Sequence, residues 1–121
     1  MKKLIIILGL TSLTGFAQAG HLTATQVQQK ATAITRTMAK ELYLNENEYI
    51  RLKAMNIQKL VALNAILENH GNNPALANTM IQEIELAYHK QLAEVFSTKQ
   101  MQHYLAWQQA SKTDFTSFLT E

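Results

Sequence analysis

The 121-residue chain has no cysteine, one proline and four glycines. Without cysteine there is no disulfide to brace a small fold, no thiolate nucleophile and no thiolate metal site. Of the four glycines only Gly71 lies inside the body of the chain, next to the single proline, Pro74. That leaves too few glycines for a phosphate-cradling loop. Aspartate occurs once, at Asp114 near the C-terminus, and no G-x-S-x-G is present. Glu83 and Glu85 stand two apart, so on a helix they face different ways. Nothing in the sequence assembles the acid, base and nucleophile of an enzyme, and no cofactor is called for. Aromatic residues make up 7% of the chain, with one tryptophan, Trp107.

What is present begins with an export signal. Met1-Lys2-Lys3 is followed by the apolar run Leu4-Ile5-Ile6-Ile7-Leu8-Gly9-Leu10, and Ala17-Gln18-Ala19 supplies the small-x-small cleavage pattern. The strongly apolar part is shorter than the roughly 20 residues that cross a bilayer. Residues 1–19 are therefore expected to be a signal peptide cleaved after Ala19. Residues 20–121 form a single domain placed in the periplasm or outside the cell, with no stable membrane insertion after cleavage. No cysteine follows the cut, which argues against a lipid anchor. Removal of Lys2 and Lys3 brings the 11 basic residues down to 9, against 9 acidic ones. That balance argues against a nucleic-acid partner, which requires a clustered basic surface.

The remainder is written in helix formers, chiefly Ala, Leu, Gln, Glu and Lys, and shows no two-residue alternation. One pattern occurs three times: Leu22-Thr23-Ala24-Thr25-Gln26, Leu44-Asn45-Glu46-Asn47-Glu48 and Phe96-Ser97-Thr98-Lys99-Gln100. Each is an apolar residue, a short polar cap, two variable residues, then Gln or Glu. The cap accepts from the backbone N–H three residues on, and the Gln or Glu reaches back to the cap's own N–H. Such a box marks a helix start and stabilises it by about 1 kcal/mol.

These marks predict four helices. The first spans about Ala24 to Leu42, with Val27, Ala31, Ile34, Met38 and Leu42 inward. The second runs from about Glu46 to Asn69, with Ile50, Ala54, Ile57, Leu60, Val61, Leu63 and Leu67 inward; Leu52, Met55 and Ile66 lie off that stripe. Gly71 then reads as a left-handed terminator. Asn73 caps the third helix, with Pro74 in its first position. That helix carries Leu76, Met80, Ile84, Ala87, Tyr88, Leu92 and Val95. The fourth follows Ser97 and carries Met101, Tyr104, Leu105 and Trp107. Phe115, Phe118 and Leu119 form a short final turn. The expected fold is all-α, an elongated antiparallel helical hairpin with flanking helices. The wide apolar arc of the second helix calls for helices 1 and 4, or a second subunit, to cover it, so a homodimer is expected.

The literal L-T-x-x-Q at Leu22 to Gln26 and its two near-copies resemble the Spy/CpxP group of periplasmic proteins, which carry repeated L-T-x-x-Q motifs at helix starts. The resemblance extends from about Leu22 to Trp107. Asn45, Glu48, Phe96 and Ser97 depart from the literal motif while keeping the cap chemistry. The resemblance implies an ATP-independent chaperone, or an envelope-stress accessory protein, working as a curved antiparallel dimer. Its partners would be unfolded or partly folded proteins. Clients would lie against a face mixing basic and apolar groups, for which Arg51, Lys53, Met55, Lys59, Tyr88 and Lys90 are the candidates. The alternative for the same residues is a solvated charged face with Met55 and Tyr88 in the core. Alternative roles are a regulator docking on a sensor protein, a metal-responsive helical sensor, or a structural helical module. Of the four histidines, His89 lies one turn after Glu85, and His103 would have to join them from the fourth helix to complete a metal site. On its own, a Glu–His pair at that spacing is an ordinary surface pair.

Overall fold

The computed structural model describes residues 22–111. The proposed leader, its cleavage point and the final turn at Phe115, Phe118 and Leu119 lie outside the described residues. The described chain is all-helical: α1 is Ala24–Leu42, α2 Glu46–His70, α3 Pro74–Val95 and α4 Thr98–Ser111. No described helix is long and apolar enough to cross a membrane.

All three repeated motifs open helices, and each closes as a reciprocal pair. The Gln26 N–H donates to Thr23 Oγ1 at 3.1 Å and the Thr23 N–H to Gln26 Oε1 at 2.9 Å. The corresponding distances are 2.8 and 2.9 Å for Asn45 and Glu48. For Ser97 and Gln100 they are 3.1 and 2.8 Å. The apolar residue before each cap packs inward, with Phe96 in the core and Leu22 and Leu44 against it. Asn73 caps α3 through the Leu76 N–H at 3.3 Å, with Pro74 at the helix start.

Two of the boxes are tied to each other. Glu48 Oε1 accepts from the Asn45 N–H and also from Gln100 Nε2 at 3.2 Å. The second motif is thereby joined to the third across 52 positions of sequence. The first motif is held by Asn64 of α2. Its Oδ1 accepts from the Leu22 N–H at 3.2 Å and its Nδ2 donates to the Leu22 carbonyl at 3.4 Å.

The chain ends of α1 and α2 reverse one expectation. Gly71 has right-handed angles, φ −64° and ψ −21°. The left-handed residue is Tyr43, with φ 54° and ψ 51°, which ends α1. Its N–H returns to the Ala39 carbonyl, and the Leu44 N–H does the same at 3.1 Å. The turn after Gly71 closes through the Asn73 N–H on the His70 carbonyl, so glycine's special freedom is not used there.

α2 packs on both α1 and α3, and α4 packs on α1 and α3. The pairs Asn56–Tyr88 and Lys59–Glu85 run in opposite order along α2 and α3, as antiparallel neighbours do. The core takes Val27, Ala31, Ile34, Met38 and Leu42 from α1, as the spacing predicts. It takes Leu52, Leu60 and Leu63 from α2, Tyr88 and Leu92 from α3, and Tyr104 from α4. Burying each large apolar side chain stabilises by about 1.5–3 kcal/mol.

The inward face of α2 differs from the expected one. Ile50 is 58% and Val61 53% exposed, and Ala54 is exposed as well. Leu52 and Ile66, expected off the stripe, are buried. So are Asn56 and Lys59. α2 carries two apolar stripes, and α1 and α3 cover the one interrupted by Asn56 and Lys59. On α3, Leu76 and Ala87 face outward, and Ala77 is buried instead. On α4, Leu105 is exposed.

Candidate binding surface

The six candidate residues divide by depth. Arg51 and Lys90 are exposed, and Lys53 and Met55 are half-buried. Lys59 and Tyr88 are buried and do not form part of an accessible surface, which corrects their placement on the expected client face. The reason lies in their partners. Lys59 Nζ donates to Glu85 Oε1 at 2.9 Å and lies 3.9 Å from the centroid of the Tyr88 ring. A buried ammonium is tolerated when a carboxylate and an aromatic face replace its water.

Tyr88 continues the set inward. Its hydroxyl donates to Asn56 Oδ1, and it lies 3.8 Å from Met38 Sδ. Asn56 Nδ2 donates to Thr35 Oγ1 at 2.9 Å, and the Thr35 hydroxyl donates to the Ala31 carbonyl at 2.6 Å. The chain from Ala31 to Glu85 thus joins α1, α2 and α3 through polar groups in the middle of an apolar core. Burial, with the Tyr104 and Glu85 charges as smaller causes, raises the Tyr88 phenol well above its ordinary value. Burial, then Glu85, does the same for Tyr104. Both stay protonated, and Tyr88 remains a donor. Asn56 and Thr35 carried no expectation from the sequence. The available signal was the run Leu52, Asn56, Leu60, Leu63, Leu67, an unbroken helical stripe with one asparagine in it.

The proposed metal ligands are divided among other contacts. Glu85 is engaged by Lys59. The His89 ring meets Tyr104 edge-on at 5.9 Å between centroids, beside Tyr88 at 6.5 Å. His103 is exposed and lines a shallow concavity of about 350 Å³ with Tyr43, Glu48, Lys99 and Gln100. Among the described residues no three His, Cys, Asp or Glu side chains are grouped closely enough to hold a metal ion. Tyr104 joins Phe96 and Trp107, each at 6.2 Å, in an aromatic cluster at the end of the core.

His89 Nε2 is buried with no hydrogen-bond partner among the described residues. Burial lowers its pKa from 6.5, with Glu85 opposing and Lys59 adding to the shift. The unfolded chain therefore takes up the proton first as pH falls. The expected result is full stability above about pH 6.5 and a decline below it, until the folded-state pKa is also passed. Denaturation midpoints measured between pH 7.5 and about 5, above the carboxylate range, read this directly. His89→Leu should flatten that slope, and an unchanged slope would remove His89 as its source.

The accessible part of the site is the outer face of α2. Its exposed residues between Lys53 and Glu68 are Ala54, Gln58, Val61 and Ala65, none of them charged. Ile50, Arg51 and Lys53 adjoin that strip at its N-terminal end. On α3, Leu86 is 66% exposed, one turn before Lys90. Such a face offers apolar contact, with the cationic Arg51 and Lys53 at its N-terminal end. Comparison with protein-family models, with curated proteins and with solved structures gives no match.

Proposed function

We propose that the mature chain is an exported, ATP-independent chaperone-like protein that holds unfolded or partly folded proteins in the periplasm. It works as a homodimer of elongated antiparallel hairpins, as the Spy/CpxP resemblance implies. The observation that supports this reading most is the second apolar stripe of α2. Ile50 and Val61 are more than half exposed, and Arg51 and Lys53 follow Ile50 at the N-terminal end of the stripe. Single exposed apolar residues are ordinary, whereas a row of them at helical spacing marks an interaction face. A client exposing an apolar segment with acidic flanks would find complementary apolar surface and charge on such a face.

Purified mature protein at low micromolar concentration should suppress light scattering by an aggregating client without nucleotide. An Ile50→Ser, Val61→Ser double variant should lose most of that effect while its circular dichroism is unchanged. Light scattering on the same sample reports the oligomeric state. No suppression at several-fold molar excess would sink the chaperone reading. Capture of one specific partner without general suppression would favour the regulator in its place.

A further inference from the structure

The outer face of α2 carries a seven-residue repeat. Arg51, Ala54, Gln58, Val61, Ala65 and Glu68 are all exposed, and they stand alternately three and four residues apart. That is the a/d spacing of a helix seam, and it runs for about 26 Å along the helix. The stripe is also symmetric. Ala54 and Ala65, Gln58 and Val61, and Arg51 and Glu68 are mirror pairs about the point between Lys59 and Leu60. The outermost pair carries opposite charges.

We infer that a second copy of this chain occupies the stripe, with the two α2 helices antiparallel about a two-fold axis at that point. The inference rests on the homodimer reading above. It names the surface that forms the pair, and it puts client and second copy in competition for Val61. A two-fold contact requires a surface complementary to itself. Turning one α2 end for end sets Arg51 of each copy against the partner's Glu68, Ala54 against the partner's Ala65, and Gln58 against the partner's Val61. The alanines let the helix axes approach to about 8 Å, the close end of the packing range. Ile57 and Ala62, which flank the stripe, form one more mirror pair, half-buried and apolar.

Other arrangements place the charges badly. A parallel pair sets Arg51 on Arg51 and Glu68 on Glu68. Sliding the antiparallel pair by one heptad sets Arg51 on Val61, or Glu68 on Gln58. Exposed ion pairs add little affinity, but like charges placed opposite each other are costly. The two end pairs therefore select orientation and register. A seam this short makes a pair that dissociates on dilution.

The test sizes the purified protein by sedimentation over a wide range of concentration. The expected result is a monomer–dimer equilibrium. Arg51→Glu should raise the dissociation constant at least about tenfold, because it puts like charges opposite at both ends. Adding Glu68→Arg should restore it, whereas a parallel pair gains nothing from the exchange. The chain has no cysteine, so introduced thiols report the register alone. Under mild oxidation the double variant Ala54→Cys, Ala65→Cys should lock into a covalent dimer. Either variant alone should not, since its two thiols lie about 16 Å apart along the axis. Circular dichroism identical to the parent's checks that each variant folds. Where the parent suppresses client aggregation, the locked dimer should suppress less until it is reduced.

A monomer at every concentration overturns the inference. So does an Arg51→Glu protein that pairs as well as the parent, or a covalent dimer from either single cysteine variant. Equal suppression by the locked and reduced forms overturns the competition. A protein that pairs without suppressing aggregation sinks only the chaperone reading, and suppression by a monomer sinks only the pairing.

Discussion

Asn56→Ala should cost about 2–4 kcal/mol of folding stability, read from urea denaturation followed by circular dichroism. The side chain is fully buried, donates to Thr35 Oγ1 at 2.9 Å and accepts from the Tyr88 hydroxyl. Truncation takes the oxygen from the Tyr88 donor and the donor from Thr35, and each buried group deprived of its partner costs about 1–3 kcal/mol. It also opens a cavity, which adds to the loss because the surroundings relax only partly. The triple variant Thr35→Val, Asn56→Leu, Tyr88→Phe removes the polar groups together and should recover most of the loss. A loss below about 0.5 kcal/mol for Asn56→Ala, the range of unremarkable surface substitutions, would show that these bonds contribute nothing net.

The second large effect concerns charge. Glu85→Leu should cost about 2–3 kcal/mol, because it leaves the Lys59 ammonium, whose side chain is 2% exposed, without its carboxylate. The figure is set below the roughly 3–5 kcal/mol of a fully buried pair, since Glu85 is 30% exposed and water screens part of its charge. Lys59→Met combined with Glu85→Leu should return to near the parent stability or above it, as buried pairs replaced by apolar residues commonly do. A double-mutant cycle in which the two losses simply add would mean that the groups do not interact. This also bears on the choice of binding residues. Lys59 acts inside the molecule, so its replacement should change the denaturation midpoint and leave client binding per folded molecule unaltered.

Helix boundaries were legible because the information that sets them is local. A cap at Thr23, Asn45, Asn73 or Ser97 is decided by residues three positions away, and all four fall where the sequence puts them. The face of α2 was not legible, and the reason is physical. Ile50, Ala54, Ile57 and Val61 have the spacing of a buried stripe, and so do Leu52, Asn56, Leu60 and Leu63. Hydropathy favours the first set, yet Thr35, Tyr88 and Glu85 make a place for Asn56 and Lys59 in the second. Those partners lie 21 to 32 positions away, beyond the reach of a periodicity argument. The left-handed position was misplaced for a related reason. Glycine at the end of a helix suggests a positive φ, but Asn73 and Pro74 already force the turn after Gly71. The bend before Leu44 has no glycine and falls to Tyr43.

For a bulky residue the angles at Tyr43 cost on the order of 1–2 kcal/mol, and its ring gains little in return at 81% exposure. A glycine would remove that cost and also enlarge the freedom of the unfolded chain, so the two effects oppose each other. What the tyrosine supplies is stiffness: its side chain confines the backbone to a narrow well where glycine would roam. The elbow between α1 and α2 is therefore a fixed bracket and not a swivel. The first rod keeps its angle to the second, along with the Leu22 end that Asn64 pins.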